Sequence, residues 1–479
     1  MGLKKGQIYE GTVIDYKFPN KGKVLVDGQS VFVKGALPGQ KITFSISRKR
    51  SNGSEGKLQE VLERSPIEDG EDMCSHFGRC GGCMYQNISY ENQLRLKAGM
   101  VKKLLDGVYP DFEFEGITGS PEITGYRNKM EFTFGDECKD GPFAIGLHRK
   151  DSFHDIVNLN DCALVHPDFN TVRNAVRDYL NTYYVAGQVD FNHQLSHRGY
   201  LRHLLIRRSV FNQEMIVALI TTTPDNCDKL DPPMEAEIIE GYKNTVLKLQ
   251  EEGKLQGRVT GICHVYNNAL SDIVRNDDMH ILYGQDYITE SILGLQFKIS
   301  LFSFFQTNSK GCEKLYEKAR EFASYTGGGV VYDLYSGTGT IAQLMSPAAS
   351  KVIGVEIVED AVESAINNAR LNNIENVEFI AGDVMKVLCG EIGESLPKPD
   401  MIILDPPREG IHPKALGRIL GFGVDRIVYI SCKPTSLATD LVAFKAAGYK
   451  LVKAACVDMF PHTAHVETVV LLSKNQEVE

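Results

Sequence analysis

From about residue 300 onward, the chain repeats one pattern: a short apolar run, a turn, and a longer stretch with helical periodicity. The apolar runs are "VVYDLY" (330–335), "KVIGVEI" (351–357), "VEFIAGD" (377–383), "MIILDPP" (401–407) and "RIVYISC" (426–432). Between the second and third runs, apolar residues of "EDAVESAINNARLNN" recur at helical spacing. This alternation predicts a Rossmann-like, doubly wound and mostly parallel sheet, with ligands bound at the carboxyl ends of its strands.

The first 66 residues have a different, strand-rich pattern. Five short β-type segments are "QIYEGTVIDY" (7–16), "GKVLVDG" (22–28), "QSVFVKG" (29–35), "KITFSIS" (41–47) and "KLQEVLE" (57–63). Asp27-Gly28 suits a tight hairpin turn between the second and third segments. Five short strands in so few residues predict a small OB-like β-barrel, a fold that often binds RNA.

This N-terminal region is also basic. Residues 1–64 hold 12 Lys and Arg against 6 Asp and Glu, although the whole chain has a net charge of −10. Such an asymmetry fits a nucleic-acid-binding appendage on an acidic body, and an ordinary solvated surface is the alternative. Arg48, Lys49 and Arg50 are candidate phosphate contacts.

The chain is too long for one core, since domains usually have roughly 100 to 200 residues. We predict an N-terminal barrel (1–66), a mixed α+β central domain (67–299) and the α/β domain (300–479). No apolar run reaches the roughly 18 residues that a membrane helix needs, and the N-terminus has no apolar signal core. We therefore expect a cytoplasmic, monomeric protein without membrane contact, in which the 11 cysteines are reduced thiols or ligands.

The glycine turn "DLYSGTGTIA" (333–342) follows the first strand of the α/β domain. Gly337, Gly339 and Ala342 match G-x-G-x-x-A, and Glu356 ends the next strand, so a nicotinamide cofactor is permitted. S-adenosylmethionine is favoured by Asp333, which can pair with a ligand ammonium, and by Asp383, which can accept a hydrogen bond from an adenine amino group. The alternative is that these acids only cap helices.

"LDPPREG" (404–410) and "YISCKP" (429–434) end the fourth and fifth strands. Carbon 5 of a pyrimidine is a poor nucleophile, and a thiolate that adds to carbon 6 activates it. Cys432 is a candidate for this thiolate if the site favours the anion, which the adjacent Lys433 and a following helix start would promote. Glu467 is the candidate base for the carbon-5 proton, with His462 and His465 as competing candidates. A buried structural thiol is the alternative for Cys432.

Six motifs in order, "FSFFQTN" (302–308), "DLYSGTGT", "GVEI", "LDPPREG", "YISCKP" and "HVETVVLL", resemble the RNA uracil-5-methyltransferase family. The resemblance is strongest to bacterial 23S rRNA (uracil-5-)-methyltransferases with an N-terminal TRAM domain. It implies that Cys432 is the nucleophile and Glu467 the base, and that Asp405 also binds the uracil edge. It further implies a cofactor and substrate pocket that includes Gln306, Tyr335, Glu356, Asp383 and Asp405.

Three cysteines lie close together in "CSHFGRCGGC", as Cys74, Cys80 and Cys83. Soft thiolates select zinc or iron–sulfur clusters, and the spacing alone does not distinguish these from free thiols. The family resemblance implies a 4Fe-4S cluster whose fourth ligand is Cys162.

Two segments of the central domain are candidates for RNA contact. Arg127 and Lys129 lie in "GYRNKMEF" (125–132), which resembles an RNA-binding segment of the family, and "HRGYLRHLLIRR" (197–208) is rich in Arg and His on a predicted strand. The resemblance favours 23S rRNA over tRNA as the substrate. An NAD-dependent oxidoreductase and a catalytically silent RNA-binding module remain the rival functions.

Overall fold

The computed structural model describes residues 3–50, 53–71, 73–324 and 327–474. The described chain contains a six-stranded, a seven-stranded and an eight-stranded sheet and a two-stranded hairpin. Within this part of the chain, none of the helices combines the length and apolarity that spanning a bilayer requires.

The N-terminal sheet has the order β1-β5-β6-β4-β3-β2. Its strands are β1 (Ile8–Thr12), β2 (Asp15–Lys17), β3 (Lys21–Val26), β4 (Gln29–Lys34), β5 (Lys41–Arg48) and β6 (Ser54–Glu63). The predicted hairpin turn is confirmed, with φ of 48° at Asp27 and 75° at Gly28.

The first predicted strand is divided into β1 and β2 because the chain changes partners there. The Val13 amide donates to the Gln40 carbonyl at 2.8 Å, and the Ile14 amide donates to the Lys23 carbonyl at 2.9 Å. Since β1 and β2 are the two outer strands and only two residues separate them, the two edges of the sheet lie side by side.

The next elements are α1 (Tyr90–Asp106) and β7 (Glu113–Thr118), followed by the seven-stranded sheet of order β10-β9-β8-β11-β12-β13-β14. Its strands are β8 (Lys129–Asp136), β9 (Phe143–His148), β10 (Ile156–Asn158), β11 (Leu201–Arg208), β12 (Glu214–Thr221), β13 (Arg258–Tyr266) and β14 (Asp278–Gly284). Helices α2 (Pro167–Val185) and α3 (Pro232–Glu251) pack against it, and a short 3-10 turn spans Pro224–Asn226.

The charged strand β11 is buried along its whole length. The Arg202 guanidinium donates to the carbonyls of Asn267, Ala269 and Ser271, and that of Arg207 donates to the carbonyls of Ser300 and Ser303. The interpretation of 197–208 as an RNA-facing strand is therefore wrong for these arginines, because both faces of a central strand are covered and the guanidinium groups bind backbone carbonyls instead.

The hairpin β15 (Tyr287–Ile292) and β16 (Leu295–Ser300) leads into the α/β domain. Its strands are β17 (Val330–Leu334), β18 (Lys351–Glu356), β19 (Val377–Ala381), β20 (Met401–Leu404), β21 (Arg426–Ser431), β22 (Lys450–Val457) and β23 (Glu467–Ser473). Its helices are α4 (Ser309–Ala323), α5 (Thr340–Met345), α6 (Glu359–Leu371), α7 (Val384–Cys389), α8 (Glu391–Ser395), α9 (Pro413–Phe422) and α10 (Pro434–Ala446), with a 3-10 turn at Ser346–Ala348.

The strand order of this sheet is β19-β18-β17-β20-β21-β23-β22-β7. Strands β17 to β21 are parallel, and the chain reverses its direction of winding between β17 and β20, as predicted for a doubly wound sheet. Strand β7 pairs with β22, and α1 packs against β7 and α10. The segment 67–299 therefore contributes β7 to the α/β sheet and α1 to the helices that cover it, as well as forming the central sheet.

Candidate active site

The sheet register brings the predicted catalytic residues to one edge. Parallel pairing aligns Leu334 of β17 with Leu404 of β20, and Leu404 with Tyr429 of β21, so the chain segments that follow these strands meet at their carboxyl ends. Strand β23 runs antiparallel to β21 and pairs Thr468 with Ser431. Cys432, directly after β21, and Glu467, the first residue of β23, adjoin this pair and consequently lie at the same end of two neighbouring strands.

The backbone of the glycine turn is left-handed at three of its residues. The φ angles are 69° at Tyr335, 53° at Gly337 and 74° at Gly339. A Cβ on Gly339 would lie 2.5 Å from the ring of Phe379, so only glycine fits there, whereas a Cβ on Gly337 would have no atom within 4 Å. The Gly337 amide donates to Glu356 Oε2 at 3.0 Å. The turn thus leaves an open space beside a carboxylate.

Two buried carboxyl groups lie beneath this turn. Asp333 accepts a hydrogen bond from the Ala342 amide at 2.9 Å, and its Oδ1 has no hydrogen-bond partner among the described residues. Burial and the neighbouring Asp405 raise the pKa of Asp333 to about 8, and burial raises the pKa of Asp405 to about 7. A cationic ligand would offset this accumulation of buried carboxyl groups.

Cys432 and Glu467 titrate in the same environment. Burial, then Glu467 and Asp405, raise the pKa of Cys432 to about 11. Burial and Asp405 raise the pKa of Glu467 to about 8. The predicted helix start is present, since α10 begins at Pro434 after Lys433. The expectation that these features favour the thiolate is nevertheless wrong for the protein without ligands, because burial and negative neighbours dominate the pKa of Cys432.

Arg408 is the cation that opposes these effects. Its guanidinium group lowers the pKa of both Cys432 and Glu467, against the larger effect of burial. The Arg408 carbonyl accepts a hydrogen bond from Ser436 Oγ at 2.7 Å, which ties the "LDPPREG" turn to α10. Sequence reasoning noted Arg408 only as a motif residue, because nothing local indicates that it faces the thiol.

His462 and His465 precede Glu467 in the loop between β22 and β23. Burial and Arg408 lower the pKa of His465 to about 4, and burial lowers the pKa of His462. His462 Nδ1 lies 3.1 Å from Gln93 Nε2 on α1. The strand register favours Glu467 over either histidine as the group beside Cys432.

The remaining pocket residues lie on segments that border the same edge. The Gln306 carbonyl accepts a hydrogen bond from Asn128 Nδ2 at 2.9 Å, which ties "FSFFQTN" to the central sheet. Asp383 Oδ1 caps α7 by accepting a hydrogen bond from the Lys386 amide at 3.0 Å. One oxygen of Asp383 therefore has the helix-capping role that the sequence allowed as an alternative to cofactor binding. Phe304 is 71% exposed two residues before Gln306. Sequence reasoning did not single out Phe304, although three phenylalanines among the four residues before Gln306 could have indicated an aromatic surface.

The four predicted metal-binding cysteines lie near one another. Burial, together with the neighbouring Cys162 and Cys74, raises the pKa of Cys80 to about 11 and that of Cys83 to about 12. In the described chain, however, no three His, Cys, Asp or Glu side chains are grouped so that they could hold a metal ion. Arg173 is fully buried near Cys162 and donates to Asn170 Oδ1 and Asn174 Oδ1, while its Nε has no hydrogen-bond partner among the described residues, so an anionic group would match its charge.

The predicted RNA contacts occupy different environments. Arg48, Lys49 and Arg50 are exposed at the end of β5, where Arg50 lies 3.5 Å from Glu55. Lys129 pairs with Glu131 at 2.8 Å. The Arg127 guanidinium lies 6.0 Å from the ring centroid of Phe460, in the loop that precedes Glu467.

Comparison with known proteins adds independent observations. Residues 266–475 match a family model described as tRNA (uracil-5-)-methyltransferase. Proteins named as uncharacterized RNA methyltransferases are similar over nearly the whole chain: one from Caldanaerobacter subterraneus subsp. tengcongensis is 44% identical over 99% of this chain and 100% of its own. One from Clostridium acetobutylicum is 45% identical over 98% and 99%.

Among solved structures, the tRNA (uracil-54, C5)-methyltransferase of Pyrococcus abyssi in complex with S-adenosyl-L-homocysteine is similar with a TM-score of 0.69. It is 25% identical in sequence, and the match covers 96% of this chain and 100% of that chain.

Proposed function

This chain belongs to the tRNA (uracil-5-)-methyltransferase family of S-adenosylmethionine-dependent RNA methyltransferases, and from that premise we propose that it methylates carbon 5 of a uridine. Family membership sets aside the oxidoreductase and the silent RNA-binding module. The observation that carries the proposal is the β21–β23 register, which supports Cys432 and Glu467 as partners in one site.

The pocket residues fit S-adenosylmethionine. The open space at Gly337 and the unpartnered Asp333 Oδ1 suit a cationic ligand with an amino group. Bound there, the cofactor supplies a methyl group on a sulfonium. The residues that we propose hold it are Gln306, Asp333, Tyr335, Gly337, Gly339, Glu356, Asp383 and Asp405.

The chain's own groups account for the remaining chemistry. Cys432 gives its proton to solvent and its thiolate adds to carbon 6 of the uracil, so that the electron pair of the C5–C6 double bond becomes available at carbon 5. Asp405 forms a hydrogen bond with the uracil edge and so positions the base beside Cys432. After methylation, the Glu467 carboxylate removes the carbon-5 proton and the bond between sulfur and carbon 6 breaks. The uridine must leave its stack, because carbon 6 is inaccessible in a helix.

RNA that contains 5-fluorouridine tests this mechanism. Fluorine cannot leave as a proton does, so the enzyme should become covalently trapped in the presence of S-adenosylmethionine. We expect an adduct on a denaturing gel that is absent in Cys432→Ala. Methyl transfer to unmodified RNA without any trapped adduct would overturn the proposed role of Cys432.

We propose 23S rRNA as the substrate, with the N-terminal sheet acting as a TRAM-like, OB-like RNA-binding barrel. The adjacent outer edges of that sheet and its exposed Arg48, Lys49 and Arg50 support this proposal. Transfer RNA is a second candidate, because the similar Pyrococcus abyssi structure is a tRNA enzyme. Parallel assays with 23S rRNA and tRNA transcripts, followed by mapping of the trapped uridine, distinguish the two.

We propose that Cys74, Cys80, Cys83 and Cys162 hold a 4Fe-4S cluster with a structural role, and zinc is the alternative. The buried positive charge of Arg173 supports an anionic occupant. Iron, sulfide and zinc contents of protein purified without oxygen decide between them. Stoichiometric zinc without iron, or neither element, would overturn the cluster.

A further inference from the structure

The loop of residues 458–466, which we call the base loop, joins β22 to β23 and ends directly before Glu467. His462 in this loop has a φ of 65°. Left-handed backbone is uncommon for residues other than glycine, although asparagine, aspartate and histidine adopt it more often than the rest, and it persists where the surroundings stabilise it. The contacts of His462 with neighbouring segments therefore help to hold this conformation.

Gln93 on α1 holds the His462 backbone amide, and its side-chain amide lies against the His462 ring. This side chain is fully buried. Its Oε1 accepts a hydrogen bond from the His462 amide at 2.9 Å, and its Nε2 lies 3.1 Å from His462 Nδ1. The same Nε2 donates to the carbonyls of Tyr85 and Ile88 at 2.9 and 2.8 Å. The side-chain amide of Gln93 thus connects the base loop to residues 85–88.

Lys97 lies one helical turn after Gln93, on the same face of α1. Its ammonium group is also fully buried, and it donates to Asp458 Oδ1 at 2.7 Å and to the Phe460 carbonyl at 3.0 Å. Two adjacent side chains of one helix therefore hold the base loop at its beginning and its middle.

The chain after Cys83 completes the contact. The amides of Met84 and Tyr85 donate to the His462 carbonyl at 2.7 and 3.1 Å. Tyr126, which precedes Arg127, donates from its hydroxyl to the Pro461 carbonyl at 3.1 Å. The cysteine-rich segment is thereby joined directly to the loop that leads to Glu467.

We propose that Gln93, Lys97 and the Met84–Tyr85 backbone form a cradle that positions Glu467 as the base. This inference rests on the proposed function, since it assigns the cradle to the step in which the carbon-5 proton is removed. Gln93 is a positioning residue, because it acts on Glu467 through His462. The cradle also connects the cysteine-rich segment to Glu467 through hydrogen bonds, so this segment can affect catalysis without any electron transfer.

Gln93→Leu tests the cradle, because leucine has a similar size and cannot form the hydrogen bonds. Methyl transfer into the adduct should continue while release slows on the order of 100-fold, the loss that small misplacements cause. Radiolabelled methyl groups from S-adenosylmethionine should therefore accumulate in a covalent protein–RNA adduct on a denaturing gel. Arg95→Ala is the matched control on the same helix, where the side chain is 70% exposed.

Hydrogen exchange of residues 458–466, measured by mass spectrometry, provides a readout that does not depend on the chemistry. We expect faster exchange in Gln93→Leu and wild-type exchange in Arg95→Ala. Unchanged exchange, or faster exchange with normal product release, would overturn the cradle. Loss of methyl transfer without an adduct in a folded Gln93→Leu protein would also overturn it, because a misplaced base should slow only the step after methyl transfer.

A second pair of variants applies if Gln93→Leu does not fold. His462→Asn tolerates a positive φ and His462→Val does not, so release should be slower in the valine variant. Equal release in both would contradict the role of the loop conformation. If Glu467→Gln itself accumulates no methylated adduct, the proposed role of Glu467 as the base for the carbon-5 proton fails. If Glu467→Gln accumulates the adduct while Gln93→Leu releases product at the wild-type rate, only the cradle is refuted.

Discussion

Glu467 raises the pKa of Cys432 from the neighbouring antiparallel strand. Ionisation of either group therefore makes ionisation of the other less favourable. Cys432, Glu467 and Asp405 titrate as a coupled set. In the proposed reaction the two anions act at different times, since Cys432 forms its bond to carbon 6 before Glu467 removes the proton from carbon 5.

Glu467→Gln separates these two steps. The amide cannot accept the carbon-5 proton, so turnover should fall by roughly 10²- to 10⁴-fold, the usual contribution of a general base. The methylated adduct with Cys432 should accumulate. A gel assay with radiolabelled cofactor measures it, and loss of turnover with no labelled adduct would show that Glu467 acts before methyl transfer.

Activity should rise with pH through the neutral range. Glu467 must be ionised to act as a base, and its pKa of about 8 leaves it largely protonated at pH 7. The value of kcat, which includes the removal of the carbon-5 proton after methyl transfer, should therefore increase between about pH 7 and 9. A flat kcat profile over this range, measured with saturating RNA and cofactor, would contradict the raised pKa.

Arg408→Gln should move this profile to higher pH. Arg408 lowers the pKa of both Cys432 and Glu467, so its removal makes both anions less available. Arg408→Lys is the matched control because it retains the positive charge. The profiles of the two variants are compared with that of the wild type. An unshifted Arg408→Gln profile would show that Arg408 does not affect the ionisation of Cys432 and Glu467.

Stability should depend on pH through the buried carboxyl groups. The pKa values of Asp333, Asp405 and Glu467 are raised to between about 7 and 8. The stabilisation from their protonated forms is fully present below about pH 4, the unfolded-state value, and is lost as the pH rises through about 7 to 8. Urea unfolding across this range should show a falling free energy of unfolding, with a shallower slope in Asp333→Asn.

Phe304→Ala should weaken RNA binding without destabilising the fold. The ring is exposed beside Gln306, where an unstacked base can pack on it. Stacking on an aromatic side chain contributes about 1–3 kcal/mol per base. Filter binding or fluorescence anisotropy measures the change, and Phe304→Tyr, which keeps an aromatic face, should bind as the wild type does.

Local patterns predicted the parts of this protein that depend on near neighbours in the chain. The parallel strands, the helix after β18, the glycine turn and the Asp27-Gly28 hairpin all follow from residue type and spacing. Their positions also indicated that Asp333, Asp405 and Cys432 would meet, because parallel strands present their carboxyl ends at one edge. The metal at the four cysteines and the RNA contacts stay predictions.

The amino-acid sequence by itself determined which groups are available for chemistry and which strand ends carry them. Only the tertiary structure decided their environment: the raised pKa of Cys432, the orientation of Arg408 toward it, the burial of β11 and the contacts of Gln93 with His462. These depend on residues separated by up to hundreds of positions, such as the 369 between Gln93 and His462. Burial and long-range hydrogen bonds arise from packing, and no local period or motif encodes the partner that packing supplies.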